Sequence, residues 1–401
     1  MDAFATLQAR GLVQQNTGEE DLREMLGAGP VTFYVGFDPT ADSLHVGHLV
    51  PIMAMAWLQR FGHKPIAVIG GGTAMVGDPS GKTEMRKMLT AESIEANGSR
   101  FKDQLSGFLT LDGQSGWMLN NADWLLGLGY IDFLREIGRH FSVNKMLTAE
   151  AYRQRLEKGL SFIEFNYQLL QAYDFLELNR RHGCTLQLGG DDQWGNILAG
   201  TDLVRRVQRS QAHGLTQPLI LTADGKKMGK TAKGAVWLSP DRLSPFDYFQ
   251  YWLNVDDRDV GRFLRMYTFM DLDAIAQLES LKGAQIREAK RVLARTCTAL
   301  VHGEAAAEQA DTAARAMASG GSAAEMPTLQ VPTDADHRVV ALLVAAELTK
   351  SLGEGRRLIK NGGVRLDGDK VTDPDAKCAI PAGEGCVLRV GKKRVVRLVA
   401  G

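Results

Sequence analysis

Short blocks of apolar residues alternate with polar, turn-forming stretches in the first part of the chain. The apolar run Val31 to Phe37 predicts a buried strand, and a helical pattern follows from about His45 to Arg60. A second apolar run, Lys64 to Gly72, predicts another strand. Strand, loop, helix and strand in this order predict a parallel sheet, whose ligands bind where strands end and helices begin.

The remaining pattern predicts more helices than strands. Helical periodicity covers Ala122 to Arg181 and Ser244 to roughly Ala318, while strands are predicted at Thr185 to Asp191 and at Leu219 to Thr222. Small residues, proline and glycine in Ser319 to Asp336 indicate a linker.

We therefore predict an α/β protein with a Rossmann-like parallel-sheet catalytic domain, an α-helical domain and a small α+β domain. The predicted boundaries are 1–222 for the catalytic domain with a helical insertion, 223–320 for a mobile Lys-rich loop and the helical domain, 321–336 for the linker and 337–401 for the last domain.

Composition excludes several classes of protein. The chain has 401 residues, 44% of them hydrophobic, and its apolar runs fall short of the roughly 18 residues that a membrane span needs. Met1 to Gly11 carries no recognisable targeting signal. The four cysteines have no metal-ligand spacing, so neither a zinc site nor a disulfide framework is expected, and a cytoplasmic location fits.

Charge is distributed unevenly, although the formal net charge is zero. From Arg338 to Gly401 there are 13 Lys and Arg against 7 Asp and Glu, a net charge of +6. Cations cluster at a predicted helix end, and a basic run follows a predicted hairpin around Asp367-Gly368; these cations are Arg356, Arg357, Lys360, Lys392, Lys393 and Arg394. A compact basic module predicts an RNA backbone surface, with simple solvation of each charge as the alternative.

Two motifs point to nucleotide phosphates. His45-Val46-Gly47-His48 places two imidazoles on one face of a first helical turn, with Ser43 available as a cap, and helix-start N–H groups attract phosphate. The segment Asp224 to Thr231 concentrates lysines among glycines and predicts a loop that closes over pyrophosphate. A structural histidine pair and a solvated loop are the alternatives.

A third segment, Gly77 to Thr83, ends in Gly-Lys-Thr but is not a P-loop, because Val76 stands where that motif needs glycine. Lys82 and Arg86 remain candidate phosphate contacts.

Two further patterns suggest a small-molecule site. Tyr167, Gln171 and Asp174 recur at i, i+4 and i+7 on a mostly apolar helix, so their polar groups form one stripe that needs partners. Gly189 to Asn196 predicts a strand-to-helix turn where backbone approaches a ligand and a carboxylate accepts from ribose hydroxyls. A solvated helix face and a purely structural turn are the competing interpretations.

Taken in order, these motifs resemble those of bacterial tyrosyl-tRNA synthetases, which are class I enzymes, over essentially the whole chain. Tyr34 to His48 is similar to the His-Ile-Gly-His region of the family, and Lys227 to Thr231 to its Lys-Met-Ser-Lys-Ser loop. The Gly189 to Asn196 turn and the Tyr167, Gln171 and Asp174 stripe complete the resemblance.

The resemblance implies activation of L-tyrosine by ATP, with Mg²⁺, to tyrosyl-adenylate and pyrophosphate, followed by transfer of tyrosine to the 3′ end of tRNA(Tyr). It implies a cytoplasmic homodimer whose last domain is an S-four-like RNA-binding domain. In this comparison Tyr34 and Asp174 bind the substrate phenol, Asp78, Tyr167 and Gln171 its ammonium group, and Gln193 its carboxylate.

The same resemblance distributes the nucleotide contacts. ATP would be bound by Asp38, Thr40, His45, Gly47, His48, Gly190, Asp192, Lys230 and Thr231. The residues implied in catalysis are His45, His48, Lys82, Arg86, Lys227 and Lys230. RNA contacts would come from the basic residues of the last domain.

Three positions depart from the pattern: Val35 has no polar atom where some relatives have cysteine, Pro51 lacks an N–H one turn after His48, and Gly229 replaces the class serine. Three rival functions remain open at this stage. They are a tryptophanyl-tRNA synthetase, a nucleotidylyltransferase acting on a small metabolite, and a non-enzymatic RNA-binding protein built on the basic tail.

Overall fold

The computed structural model describes the chain except for residues 81–88, 158, 224, 226–227, 229, 232–233, 320–327, 333, 382–384 and 392–393. The side chains of residues 150, 151, 154, 230, 231, 318 and 319 are also left undescribed. The described residues form two compact units, one of residues 1–244 and 251–301 and the other of residues 245–250 and 302–401. The division into three domains and a linker remains a prediction.

A five-stranded parallel sheet organises the first unit, in the order β3-β2-β1-β4-β5. Its strands are β1 (Thr32–Phe37), β2 (Lys64–Ile69), β3 (Trp117–Asn120), β4 (Leu186–Gly190) and β5 (His213–Gln217). The central strands are almost wholly buried, as continuous apolar runs require in a parallel sheet. The predicted Rossmann-like α/β fold is confirmed, and the strand order reverses between β1 and β4.

Eleven of the helices that the structure describes belong to the sheet layer and its insertion. They are α1 (Ala3–Ala9), α2 (Glu19–Ala28), α3 (Leu49–Arg60), α4 (Thr73–Val76), α5 (Ala91–Ser106), α6 (Ala122–Leu125), α7 (Tyr130–Glu136), α8 (Val143–Leu147), α9 (Glu150–Leu156), α10 (Phe162–His182) and α11 (Trp194–Gln208). The following helices are α12 (Pro245–Leu253), α13 (Val260–Tyr267), α14 (Leu272–Glu279), α15 (Ile286–His302) and α16 (Glu304–Ser319). Short 3-10 turns occur at Val46–His48, Gly138–His140, Asp191–Gln193, Asp257–Asp259 and Gly283–Gln285.

Helix α10 carries the predicted polar stripe, and strong local signals fix both of its ends. Ser161 and Glu164 form a reciprocal capping box, and Gly183 ends the helix in the left-handed conformation at φ +61°. Glu164 also pairs with the buried Arg155. The side chain of Phe175 packs in one core cluster with Tyr34, so α10 lies against the sheet.

The second unit contains a mixed sheet in the order β10-β9-β11-β12-β8. Its strands are β8 (Thr328–Val331), β9 (Val364–Leu366), β10 (Asp369–Lys370), β11 (Cys386–Val390) and β12 (Arg394–Ala400), and its core also receives α17 (Val339–Ala345) and α18 (Leu352–Lys360). The predicted hairpin is confirmed, with positive φ at Asp367 and Gly368 as a two-residue turn requires.

Three local predictions are wrong. Thr328–Val331, inside the predicted linker, is strand β8, because it pairs in parallel with the edge of β12. No strand occupies Leu219 to Thr222, since Pro218 lacks an N–H and ends β5 before this segment. Ser43 does not cap the next helix, because its hydroxyl donates to the Leu44 carbonyl and the cap is His45.

Two short strands next to the Lys-rich segment form a small hairpin. Strand β6 (Lys230–Thr231) pairs with strand β7 (Gly234–Ala235) in antiparallel register.

Pro51 lies in the first turn of α3, where its missing N–H does not interrupt the helix. Among the residues described, no helix is both long enough and apolar enough to cross a bilayer.

Candidate active site

Polar side chains converge at the carboxyl ends of four neighbouring strands of the parallel sheet. Asp38 follows β1, Gly70–Gly72 follow β2, Asn121 follows β3, and the Asp191–Gln193 turn follows β4. A Cβ atom on Gly70 would collide with the Asp38 carboxylate, so only glycine fits beside it. This edge is where parallel α/β sheets bind ligands.

A buried carboxylate and a buried phenol lie close together in the site. The Asp174 carboxylate accepts from Asn121 Nδ2 at 2.9 Å and from Trp124 Nε1 at 2.7 Å. Burial raises the pKa of Asp174 to about 7, and these two donors oppose the rise. Tyr34 is 1% exposed, and the Asp174 charge acts on its hydroxyl. Among the residues that the structure describes, this hydroxyl has no hydrogen-bond partner.

A chain of hydrogen bonds links this carboxylate to a second one. Asn121 Nδ2 also donates to Thr73 Oγ1, and Thr73 Oγ1 donates to Asp38 Oδ1 at 2.7 Å. Tyr167 donates its hydroxyl to Asp38 Oδ2 at 2.9 Å. Asp38 and Tyr167 therefore belong to one network with Asp174. Burial is the largest cause of the raised pKa of Asp174, and the negative charge of Asp38 raises it further.

Asp78 and Gln193 belong to a second group of hydrogen bonds in the site. Gln193 Nε2 donates to Asp78 Oδ2 at 2.7 Å, and Ser80 N donates to Asp78 Oδ1 at 2.8 Å. Asn196 Nδ2 lies within hydrogen-bond distance of the side-chain oxygens of Gln171 and Gln193. The stripe on α10 and the turn after β4, predicted separately, are thus brought together.

The two histidines of the His-x-Gly-His motif stack beside each other, with ring centroids 4.0 Å apart. His45 Nδ1 accepts from the Gly47 N–H, and His48 Nδ1 accepts from the His45 N–H, each at 3.1 Å. With Nδ1 as acceptor, each neutral ring carries its proton on Nε2. A side chain on Gly47 would meet His45 Cε1 at 2.8 Å, so the glycine is required by the imidazole.

This motif is joined to the chain that follows the Lys-rich hairpin. Val46 N donates to Val236 O, and Leu238 N donates to Leu44 O, each at 2.9 Å. His45 and Trp237 form an antiparallel bridge, with their rings in edge contact at 6.1 Å. The base of the hairpin is therefore attached directly to the histidine motif.

A cavity of about 710 Å³ opens beside the turn after β4. Asp192, Asn196 and Ser80 line one part of it, and Trp194 and Phe141 contribute aromatic surface. A Cβ on Gly190 would lie 2.7 Å from Asp192 Oδ1, which explains a glycine at this position. The volume is sufficient for ligands of ordinary small-molecule size.

Several predicted residues cannot be placed. Lys82, Arg86, Lys227, Lys392 and Lys393 lie outside the described residues, as does Gly229, and Lys230 and Thr231 are described only as backbone of β6. Thr40 is exposed in the loop after β1.

Sequence reasoning missed Thr73, Asn121 and Trp124. The available signal was the position of Asn121 directly after a strand of the parallel sheet; the contact of Trp124 with Asp174 depends on tertiary packing.

Comparisons with known proteins agree with this geometry. Residues 27–319 match the family "tRNA synthetases class I (W and Y)", and residues 319–398 match the "Tyrosine--tRNA ligase SYY-like C-terminal domain". The chain is 52% identical to a tyrosine--tRNA ligase of Clostridium botulinum, strain Hall, over 99% of each chain. A tyrosine--tRNA ligase of Clostridium kluyveri is also 52% identical over 99% of each chain.

Solved structures give the same result at lower identity. A C-terminally truncated mitochondrial tyrosyl-tRNA synthetase of Coccidioides posadasii is 32% identical, with a TM-score of 0.68 over 78% of this chain and 91% of that one. A tryptophanyl-tRNA synthetase of Encephalitozoon cuniculi, bound to tryptophan, is 13% identical with a TM-score of 0.58 over 76% of this chain and 86% of that one. At that identity only the fold is shared.

A parallel sheet of this order, a histidine motif at its edge and a hairpin attached to that motif define a class I tRNA synthetase. Within that class, full-length identity and the carboxy-terminal match are both to enzymes for tyrosine. The chain belongs to the tyrosine--tRNA ligase family. The resemblance found in the sequence is confirmed, and the tryptophan enzyme, the metabolite nucleotidylyltransferase and the non-enzymatic RNA-binding protein are excluded.

Proposed function

We propose that this tyrosine--tRNA ligase recognises its amino acid by placing the substrate phenol between Tyr34 and Asp174. The observation that carries the proposal is the Tyr34 hydroxyl, which is buried, lies near a buried carboxylate and has no partner within the described part of the chain. Buried polar groups in native proteins are nearly always hydrogen-bonded, so an orphaned hydroxyl in a site is the signature of a missing ligand group. A phenol supplies both a donor for Asp174 and an acceptor for Tyr34.

We assign the substrate ammonium group to side chains of the two hydrogen-bonded groups around Asp38 and Asp78. Asp78, Tyr167 and Gln171 have the roles that the resemblance implies, and we add Asp38, because Tyr167 and Thr73 tie it to the Asp174 network. Gln193 then contacts the substrate carboxylate. That carboxylate is already ionised at neutral pH, so attack on the α-phosphorus needs orientation and charge neutralisation and no general base.

ATP is assigned to the histidine motif and the turn after β4. The Nε2–H groups of His45 and His48 provide donors for phosphate or ribose oxygens, and Asp192 beside Gly190 provides an acceptor for ribose hydroxyls. Thr40, Gly47 and Thr231 are further members of the proposed ATP set, and Asp38 belongs to it as well, so that Asp38 would contact both substrates. Lys82, Arg86, Lys227 and Lys230 are proposed to neutralise pyrophosphate on the strength of the resemblance.

Magnesium enters this scheme with ATP, as the ion that the nucleotide phosphates bind. Among the residues the structure describes, no group of three His, Cys, Asp or Glu side chains converges as a metal site. The ion's chemistry is to neutralise charge on the phosphates.

The second unit offers a basic surface for tRNA. Arg365 lies opposite both Lys370 and Arg389 in the sheet register, so three cations form a row across three neighbouring strands. Like charges directly opposite each other destabilise a sheet, and a polyanion relieves that repulsion. Arg356, Arg357 and Lys360 are exposed on α18, although Arg356 also pairs with Asp375.

Arg394 is a weaker RNA candidate than the other basic residues of the tail. Its guanidinium donates to the Leu348 carbonyl at 2.6 Å, within the same unit. Lys392 and Lys393 are proposed as RNA contacts from the sequence alone, because they lie outside the described residues.

A homodimer is proposed from the exposed apolar surface of the helical insertion. Large apolar side chains there are 39–69% exposed: Leu126, Tyr130, Ile131, Val143, Leu156, Phe162 and Ile163. Extended exposed apolar surface marks interaction sites. A cytoplasmic location is likewise a proposal, supported by four cysteines that are all present as buried thiols.

Amino-acid-dependent ATP–pyrophosphate exchange tests the proposed phenol site. We expect efficient exchange with tyrosine, and far weaker exchange with phenylalanine or tryptophan at the same concentration, because neither can pair with both Tyr34 and Asp174. Comparable exchange with phenylalanine would contradict the proposed recognition. Asn121→Ala removes a donor to Asp174 and is expected to lower kcat/KM for tyrosine in the same assay.

A further inference from the structure

Residues 14–17, between α1 and α2, form an extra antiparallel edge on the otherwise parallel sheet. Gln14 N donates to Thr216 O at 2.7 Å, Thr216 N donates to Gln15 O at 2.8 Å, and Thr17 N donates to Gly214 O at 3.1 Å. Asn16 and Leu215 form the corresponding bridge. This pairing brings an N-terminal residue to the carboxyl end of β5, beside the turn that follows β4.

The side chain of Gln15 uses this position to bind a carboxylate of that turn. Gln15 Nε2 donates to Asp191 Oδ1 at 2.7 Å, and Thr216 Oγ1 donates to the same oxygen at 3.0 Å. The backbone N–H of Gln15 in turn donates to Thr216 Oγ1 at 3.0 Å. Three residues far apart in sequence therefore form a closed triangle of hydrogen bonds, with Thr216 fully buried.

Asp191 is the first residue of the 3-10 turn that carries Asp192 and Gln193. A carboxylate fixed through one oxygen from two directions has little freedom to rotate, so the backbone that leaves it is fixed as well. Gln15, Asp191 and Asp192 line the same cavity, which places the triangle next to the proposed nucleotide site.

We propose that Gln15, acting with Thr216 through Asp191, is a positioning residue for the nucleotide side of the active site. It sets the direction of the Asp191–Gln193 turn and hence the placement of Asp192 against the ATP ribose. The inference rests on the proposed role of Asp192, and it adds a part for the N-terminal segment.

Two alanine variants of adjacent glutamines test this role. Gln15→Ala removes the amide that binds Asp191, while Gln14→Ala is a matched control, because Gln14 is exposed and engages the sheet through its backbone. In tyrosine-dependent exchange, we expect Gln15→Ala to raise KM for ATP on the order of five-fold, the effect of one hydrogen bond. We expect kcat and Tm to stay near those of Gln14→Ala, and KM for tyrosine to rise less than KM for ATP, because Asp78 also holds Gln193.

A double-mutant cycle identifies Asp191 as the mediator. If Gln15 acts through this carboxylate, Gln15→Ala adds nothing to KM for ATP in an Asp191→Ala background. Gln15→Glu places a second carboxylate against the first and is expected to raise KM for ATP more than Gln15→Ala does.

Three outcomes would overturn the inference: a KM for ATP in Gln15→Ala equal to that of Gln14→Ala, effects of the two single variants that simply add, or a lower Tm with KM unchanged. Failure of the proposed role of Asp192 would look different, because Asp192→Ala itself would then leave KM for ATP unchanged.

Discussion

Removing the Tyr34 hydroxyl should make the free enzyme more stable and its amino-acid recognition poorer. In the free protein this hydroxyl is buried and none of the described residues pairs with it, and leaving a polar group in that state costs about 1–3 kcal/mol. Tyr34→Phe therefore relieves a penalty while keeping the ring that packs on Phe175 at 5.3 Å. We expect a higher Tm, by on the order of 2 °C or more.

The same substitution removes one hydrogen bond to bound tyrosine and none to bound phenylalanine. A neutral hydrogen bond contributes about 0.5–1.5 kcal/mol net, so the preference for tyrosine over phenylalanine should fall by roughly 2- to 13-fold. Pyrophosphate exchange with each amino acid measures this ratio of kcat/KM.

Tyr152→Phe is the control for the stability effect. Tyr152 is as deeply buried as Tyr34, but its hydroxyl donates to the Phe165 carbonyl at 2.9 Å and accepts from Gln168 N at 3.3 Å. Removing it leaves partners unsatisfied, so Tm should fall. If Tyr34→Phe also lowers Tm, or leaves the preference for tyrosine unchanged, the Tyr34 hydroxyl is not an unpaired group that forms its hydrogen bond with the substrate.

Three further predictions follow from charge and exposure. Burial raises the pKa of Asp174 from 3.8 to about 7, so the stability contributed by its protonated form is complete below about pH 4 and is lost as the pH rises through 7. Relative to Asp174→Asn, the free energy of unfolding of the parent should therefore fall between pH 4 and pH 8, by on the order of 4 kcal/mol at most. Denaturant titrations at several pH values measure this difference. Arg365→Gln and Arg389→Gln should each reduce the slope of log affinity for tRNA against log salt by about one and leave pyrophosphate exchange unchanged, whereas an equal fall in exchange would contradict an RNA role. Phe162→Asp, at a side chain 69% exposed, should shift the protein toward monomer in sedimentation without loss of helicity, and an unchanged mass would remove Phe162 from the interface.

The sequence predicted those parts of the fold that local patterns determine. Continuous apolar runs identified β1, β2 and β4, and the capping box and Gly183 mark the ends of α10. Strand β8 was not predicted because its four residues show little periodicity, and they form a strand by pairing with the edge of β12, which is a tertiary contact.

The candidate site was predictable where a motif is contiguous. His45 and His48 share one turn, so their stacking follows from spacing. Asn121 and Trp124 reach Asp174 across about 50 residues of sequence, and nothing in their neighbourhood identifies that partner. Gln15, 176 residues from Asp191, was hidden for the same reason.

The most direct test of the central claim is an experimental structure of the enzyme with bound tyrosine. We predict that the substrate hydroxyl lies within hydrogen-bond distance of both Tyr34 Oη and an Asp174 carboxylate oxygen, and that the substrate ammonium group lies near Asp78, Tyr167 and Gln171. A tyrosine whose hydroxyl lies elsewhere, with Tyr34 Oη still unpaired, would contradict it.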